Sequence, residues 1–238
     1  GNRIIGGLFI NQGEDRFVLN GHTLTVNGKL ELTSGGQIDG TTGGSAMEFQ
    51  GLVSQSLATG SLKENRLTGL TIRNNAGVSL STDAEVDGNL NLEAGILTLV
   101  NSRLSINGTL QRTGGSILAG SGSAVVIGGT GSVLTLPSGT FSAETADHLV
   151  IARSGGAVLG GNLTITGTLE LEASNPATDR GTLETSSNVL TMGAAAVTTG
   201  PGDVSGTVSR NTITPDTPFS FGNRYTLLQT GPAGTQPS

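Results

Sequence analysis

The chain has 238 residues, of which 39 are Gly, 3 % are aromatic and 13 % are charged; it has no Cys and no Trp, and its formal net charge is -6. The 12 basic residues are scattered, which excludes the clustered Lys and Arg that phosphate neutralisation requires, so no nucleic-acid partner is expected. Absence of Cys excludes disulfide stapling and thiol chemistry, and the scarcity of large side chains calls for a core of Leu, Val, Ile, Ala and Thr in many thin layers.

The opening GNRIIGGLFINQGEDR has no signal-peptide core, and no apolar run approaches the roughly 20 residues needed to cross a bilayer. The chain therefore reads either as cytosolic or as a mature or internal piece of a longer one. VNGKLELTSG at 26–35 is then nearly repeated as VDGNLNLEAG at 86–95, INGTLQRTGG at 106–115 and ITGTLELEAS at 165–174, with steps of 60, 20 and 59. LTIRNNAGVSL at 70–80 returns as LVIARSGGAVL at 149–159, an offset of 79, and SAMEFQG at 45–51 returns as SAVVIGG at 123–129. After residue 173 the second copy inserts SNPATDR and then resumes. These spacings imply a superrepeat of about 79 residues made of four units of about 20.

Within a unit the apolar residues alternate. Leu24, Val26, Leu30 and Leu32 share one parity, as do Val86, Leu90 and Leu92, and Ile165, Leu169 and Leu171, with Thr, Asn, Lys and Glu between them. A period of two means strands with one dry and one wet face, and no stretch carries a helical stripe. Asn-Gly between such strands is ordinarily a hairpin signal, which leaves an antiparallel sandwich as the alternative. The constant phase of each phrase relative to its Gly favours an all-β parallel β-solenoid with rungs of about 20 residues, Val over Ile and Leu over Leu. Twelve such rungs fill the chain and stand on the order of 55 Å tall. Asn27, Asp87 and Asn107 are expected to stack as polar corner ladders, the Gly after each supplying positive φ.

The rhythm changes near the end. The segment from Val204 has four of the seven prolines and the only Tyr, so residues 1–204 read as the repeat region and 205–238 as a closing module or the start of a further domain. Phe219, Phe221 and Tyr225 are candidates for a lid over the last rung. Open solenoid ends invite strand pairing, so the chain is expected to belong to a longer protein or a larger assembly.

The succession SAMEFQG…LTGLTIRNNAGVSLSTDAEVDGNLNLEAGILTL, followed by SGTVSR…FSFGNRYTLL, resembles the repetitive segments of large cell-surface and secreted proteins of Bacteroidetes-type bacteria. Those segments alternate phrases of the kind LTINN-GVTL, VNGTLTL-SG and NTLTLG, and close on a YVNGPL-R…FPVG…Y module. The resemblance covers almost the whole chain. Ser220 departs from it, standing where a Pro is usual beside Phe219. The resemblance implies export by the type IX route, an extracellular or cell-surface location and a stalk or adhesin role. The sorting domain such cargo carries at its C-terminus is not found in these residues.

Catalysis and metal binding need titratable residues able to converge. His22 and His148 lie far apart at unrelated points of the repeat and read as surface residues, and no zinc constellation, G-x-S-x-G elbow, phosphate loop or calcium nonapeptide is present. Asp83, Glu85, Asp87 and Glu93 fall within little more than one rung, with Glu170, Glu172 and Glu184 in the next superrepeat. Glu31, Asn91 and Glu170 align as equivalents, as do Thr33, Glu93 and Glu172, which reads as solvation of the wet face, without a cationic partner nearby. Ice binding requires an unbroken Thr file; Thr25 and Thr164 align in one that Glu85 and Ser105 interrupt, and Thr71 stands outside it. No catalytic, cofactor or metal residue is assigned. The expectation is a non-enzymatic spacer, filament component or adhesin stalk whose partners are surface glycans, other cells or copies of itself. A carbohydrate-binding or carbohydrate-cleaving β-helix is the alternative, motivated by the acids at 83–93 and the insertion at 174–180.

Overall fold

A computed structural model describes residues 1–10, 15–32, 35–172, 181–210 and 212–231. They wind into a parallel β-solenoid of about nine turns of about 21 residues each, and the one helical segment among them is the single 3-10 turn Ser142–Glu144. Every strand pair within the coil is parallel, so the antiparallel sandwich is excluded.

Each turn has three faces. The first carries Arg3–Ile5, Thr23–Val26, Ala46–Gln50, the later halves of Leu62–Arg73 and Ala84–Ala94, and Thr109–Arg112. The second carries Leu8–Ile10 on Leu30–Leu32, then Gln55–Leu57, Val78–Leu80, Ile96–Leu99 and Ser116–Ala119. The third runs without a break from Arg16–Val18 through Gln37–Gly40, Arg103–Ile106 and Ala124–Ile127 to Val197–Thr199. Alternation along each strand sends one parity inward. Leu24, Met47, Leu70 and Leu90 stack on the first face, and Val86, Ile106, Ile127 and Ile151 on the third, all essentially without solvent exposure. Each such side chain contributes about 1.5–3 kcal/mol by leaving water.

Twelve rungs is too many. Steps between stacked residues reach 23 from Met47 to Leu70 and 24 from Val125 to Leu149, and the turn holding the insertion takes 27 from Leu163 to Leu190. Parallel pairing ends at Arg210, so about nine turns stand about 40 Å tall.

The repeated phrase is not one side of a rung; it is a corner. Val86 lies on the third face and Leu90 on the first, with Asp87-Gly88 turning between them, and 106–112 repeats this one full turn above. Val26, however, is on the first face and Leu30 on the second, whereas Ile165 is on the second and Leu169 on the third. One phrase thus serves all three corners, and the steps of 59 and 60 each fall one face short of three turns. The offset of 79 behaves likewise, since Leu70 is on the first face and Leu149 on the third. Val over Ile and Leu over Leu therefore holds for 86 over 106 and 90 over 110, and fails for the copies at 26 and 165.

The corner glycines also have another cause than the expected positive φ. Gly88 and Gly108 are absent from the left-handed region. A Cβ on Gly108 would overlap the Gly88 carbonyl oxygen, and one on Gly88 the Thr68 carbonyl oxygen, so Gly is needed because backbones of successive turns touch there. The Asn107 amide donates to the Asp87 carboxylate at 2.9 Å, so the polar ladder holds for these two, whereas Asn27 turns the corner between the first and second faces and does not stack with them.

Beyond Arg210, Phe219–Ser220 pairs antiparallel with Leu227–Leu228. Ser220 is buried, and its hydroxyl accepts from the Thr198 N–H at 3.2 Å. The Arg210 guanidinium lies 5.4 Å from the Phe219 ring centroid and donates to the carbonyls of Gly193, Ala196 and Ser220. Phe219 and Phe221 fold against the last turn with rings 5.5 Å apart, while Tyr225 stays exposed beside Arg224.

Candidate functional site

The outer faces carry the polar chemistry. On the first face Thr25, Glu48, Thr71, Asn91 and Gln111 form one file across five turns. The Thr25 hydroxyl donates to Glu48 at 3.2 Å and the Asn91 amide to Thr71 at 3.1 Å. Beside it the Arg73 guanidinium joins Glu48 at 3.2 Å to Glu93 at 2.6 Å, and the Glu93 contact raises the arginine pKa.

On the third face the Lys63 ammonium meets the nearly buried Asp39 carboxylate at 2.9 Å, while the Thr41 hydroxyl donates to the other oxygen at 2.7 Å. Together these hold the Asp39 pKa down at about 2. One turn on, Arg66 grips Asp87 at 2.6 Å and reaches Glu85 at 3.9 Å. Burial opposes ionisation of Asp87, but the Asn107 and Arg66 hydrogen bonds outweigh it and its pKa falls. The expectation that these acids lack cationic partners is therefore overturned for Glu85, Asp87 and Glu93. Asp83 instead accepts from the Arg103 backbone N–H at 2.8 Å.

Further along that face a different arrangement appears. His148 Nε2 stands 3.2 Å from a Glu170 carboxylate oxygen, and Glu172 follows two residues later on the same side of the strand. Burial, then the neighbouring Glu170 carboxylate, push the Glu172 pKa up, partly offset by Arg103 and His148. Val126 and Val150, outward by parity and almost completely buried, stack in line with Glu170 as an apolar floor. Alongside lies a groove of ≈ 360 Å³ lined by Asp83, Arg103, Asp147, His148 and Thr168 among others. His148 is thus half-buried and paired rather than a plain surface residue, whereas His22 is exposed. Among the described residues no three His, Asp or Glu side chains converge as metal ligands.

The equivalences drawn from sequence do not stack. Glu31 lies on the second face, Asn91 on the first and Glu170 on the third; Thr33 and the insertion at 174–180 lie outside the described residues. Glu184 is exposed on the first face, away from Glu170 and Glu172. Thr25 and Thr164 share no file: Thr25 is followed by Glu48 and Thr71, and Thr164 belongs with Thr145, Thr191 and Ser209 on the second face. Sequence reading also missed Arg153, an almost buried guanidinium that donates to the carbonyls of Ser132, Asn107 and Gly128 at 2.6, 2.9 and 2.7 Å. Nothing local marks it, because its partners come from one and two turns away.

What this surface can do chemically is divided. Lys63, Arg66 and Arg73 are consumed with their acids in pairs that tie one turn to the next, while Arg103 and His148 line an open groove and Glu170, with Glu172 as its neighbour, pairs with that histidine. Compared with protein-family models, curated proteins and solved structures, the chain matches none.

Proposed function

We propose that the chain is a non-enzymatic structural segment, a stalk or filament element of a secreted or surface-exposed bacterial protein with an adhesin-like role. The observation that supports this reading is the use of outward charges: Lys63 with Asp39, Arg66 with Asp87 and Arg73 with Glu48 and Glu93 all bridge successive turns. Groups spent on lateral cohesion make the rod hold together along its axis, and length grows by adding turns. The extracellular setting follows the resemblance of the repeats. The test is a glycan array run with a polysaccharide-depolymerase screen on the whole chain. No turnover is expected, and turnover abolished by replacing a single acid would defeat the proposal.

A second reading, a carbohydrate-binding or carbohydrate-cleaving β-helix, is favoured by one observation. Glu172, with its raised pKa, neighbours Glu170, whose carboxylate lies 3.2 Å from His148 on the wall of the groove, and such a chain of titratable groups is suited to general acid–base work. Glu172→Gln is the variant that separates the two: it abolishes turnover in the second reading and leaves the first untouched.

A further inference from the structure

The second face differs from the other two in charge. Over four consecutive turns it is formed by Gln55–Leu57, Val78–Leu80, Ile96–Leu99 and Ser116–Ala119. These strands and their flanking corners, residues 51–61, 74–82, 94–102 and 113–123, contain no Asp, Glu, Lys, Arg or His, in a chain with 18 acidic and 12 basic residues. The central outward file is Ser56, Ser79, Thr98 and Leu118. Around it stand exposed aliphatic side chains: Leu52 at 96 %, Val53 at 50 %, Ile96 at 39 %, Val100 at 43 % and Leu118 at 42 %. Those five are a large share of the exposed apolar side chains, gathered on one flat surface of about 20 by 20 Å, on the order of 400 Å².

We propose that this neutral face docks against the same face of a second copy of the chain. Electrostatics chooses the occupant. With a net charge of -6 and the acids of these four turns lying on the first and third faces, two copies meeting there bring rows of like charges within a Debye length of about 10 Å. Meeting on the second face leaves only bordering acids such as Glu31, which pairs with Lys29 at 3.7 Å. A charged partner finds nothing to pair with there, and a sugar ring finds no aromatic side chain to stack on, since those four stretches contain no Phe, Tyr or Trp. Small Ser, Thr and Gly side chains let two flat sheets approach to about 10 Å, with the aliphatic groups of one filling the spaces of the other. A two-fold contact of this size buries about 800 Å² in total, which places the pairing in the weak, reversible class. The inference rests on fold and charge alone and stands apart from the stalk proposal.

The chain has no Cys, so a single introduced thiol reports the contact cleanly. Thr98 lies at the centre of the face and Gln111 is exposed on the first face. Under mild oxidation Thr98→Cys is expected to form the inter-chain disulfide at least about tenfold faster than Gln111→Cys. Sedimentation of the unmodified chain from about 10 µM to about 1 mM is expected to show a monomer–dimer equilibrium that strengthens as salt screens the net charge, and that Thr98→Lys or Ser79→Asp abolishes. Equal cross-linking rates at the two positions, a monomer throughout, or association that weakens with salt would each overturn the proposal.

Discussion

Replacing Gly108 by Ala isolates what the corner glycines are for. A Cβ there overlaps the Gly88 carbonyl oxygen and lies 2.7 Å from that of Asp87, so the two turns must separate by about 1 Å. That movement loosens Asn107 N–H to Val86 O at 2.9 Å and the Asn107 amide to Asp87 at 2.9 Å. At about 1 kcal/mol for each net hydrogen bond the loss is about 2 kcal/mol. Gly60 is the control: its φ is +76° and a Cβ on it meets nothing within 4 Å. Ala at Gly60 is expected to cost only about 1–2 kcal/mol, the left-handed strain alone, and Asn at Gly60 to recover part of that. Asn at Gly108 recovers nothing, because tolerance of positive φ is irrelevant where the obstacle is a neighbouring backbone. Urea unfolding followed by circular dichroism measures all four variants. If Gly108→Ala lies within 1 kcal/mol of wild type, or Gly108→Asn is better tolerated than Gly108→Ala, the close-approach argument is wrong.

Leu90→Asp places a carboxylate in the fully buried file between Leu70 and Leu110, and a loss of several kcal/mol in the same unfolding assay is expected. Arg153→Met leaves the Ser132, Asn107 and Gly128 carbonyls unpartnered at a buried corner and is expected to cost about 3 kcal/mol, with Lys restoring only part, since one ammonium cannot span the fork. Asp39 has a folded pKa of about 2, below its ordinary 3.8, so its contribution is complete above pH 4 and is lost as pH falls towards 2. Lys63→Met is expected to flatten that acid limb in a pH series of melting temperatures. Glu172 shifts the other way: its ionised form is disfavoured in the fold, so the wild type gives up stability as pH rises through the carboxylate range. Glu172→Gln is expected to raise the melting temperature at neutral pH and to leave it unchanged at pH 3.

The solenoid was legible because alternation survives any choice of face. Leu90 and Leu92 point inward whether their strand lies on the first side or the third, so parity and a step near 20 were enough to identify stacked parallel strands. Three-sidedness was not legible for the same reason. A corner reads V-x-G-x-L wherever it falls, and a step of 59 differs from a whole number of turns by less than the variation in corner length. The ion pairs were hidden by that variation too. Lys63 reaches back 24 residues to Asp39, Arg66 forward 21 to Asp87, Arg73 forward 20 to Glu93 and His148 forward 22 to Glu170. No single offset finds them, and an acid that seems unpartnered in the sequence acquires its cation only when the turns are stacked.

That three corners accept one phrase has a consequence for how the rod tolerates change in length. Removing residues 87–106 joins Val86 directly to Asn107-Gly108, and both ends already occupy the same corner one turn apart. Gly108 then sits over Thr68 as Gly88 did, Leu110 over Leu70, and every later strand keeps its face. The lateral ion pairs lost are Arg66–Asp87 and Arg73–Glu93, exposed contacts of at most about 1 kcal/mol each. In a solenoid whose stability is a sum over turns and their interfaces, this shortened chain should fold, with unfolding cooperativity reduced by roughly one turn's share. Removing the shorter stretch 95–106 joins Ala94 on the first face to the corner that leads back to the first face, eliminating the second and third sides of one turn. The strands above then have no partners at the right height, so the smaller deletion should be the more damaging. Circular dichroism and limited proteolysis of the two chains decide it: if the 12-residue deletion folds as well as the 20-residue one, the turn is not the unit by which this molecule is built.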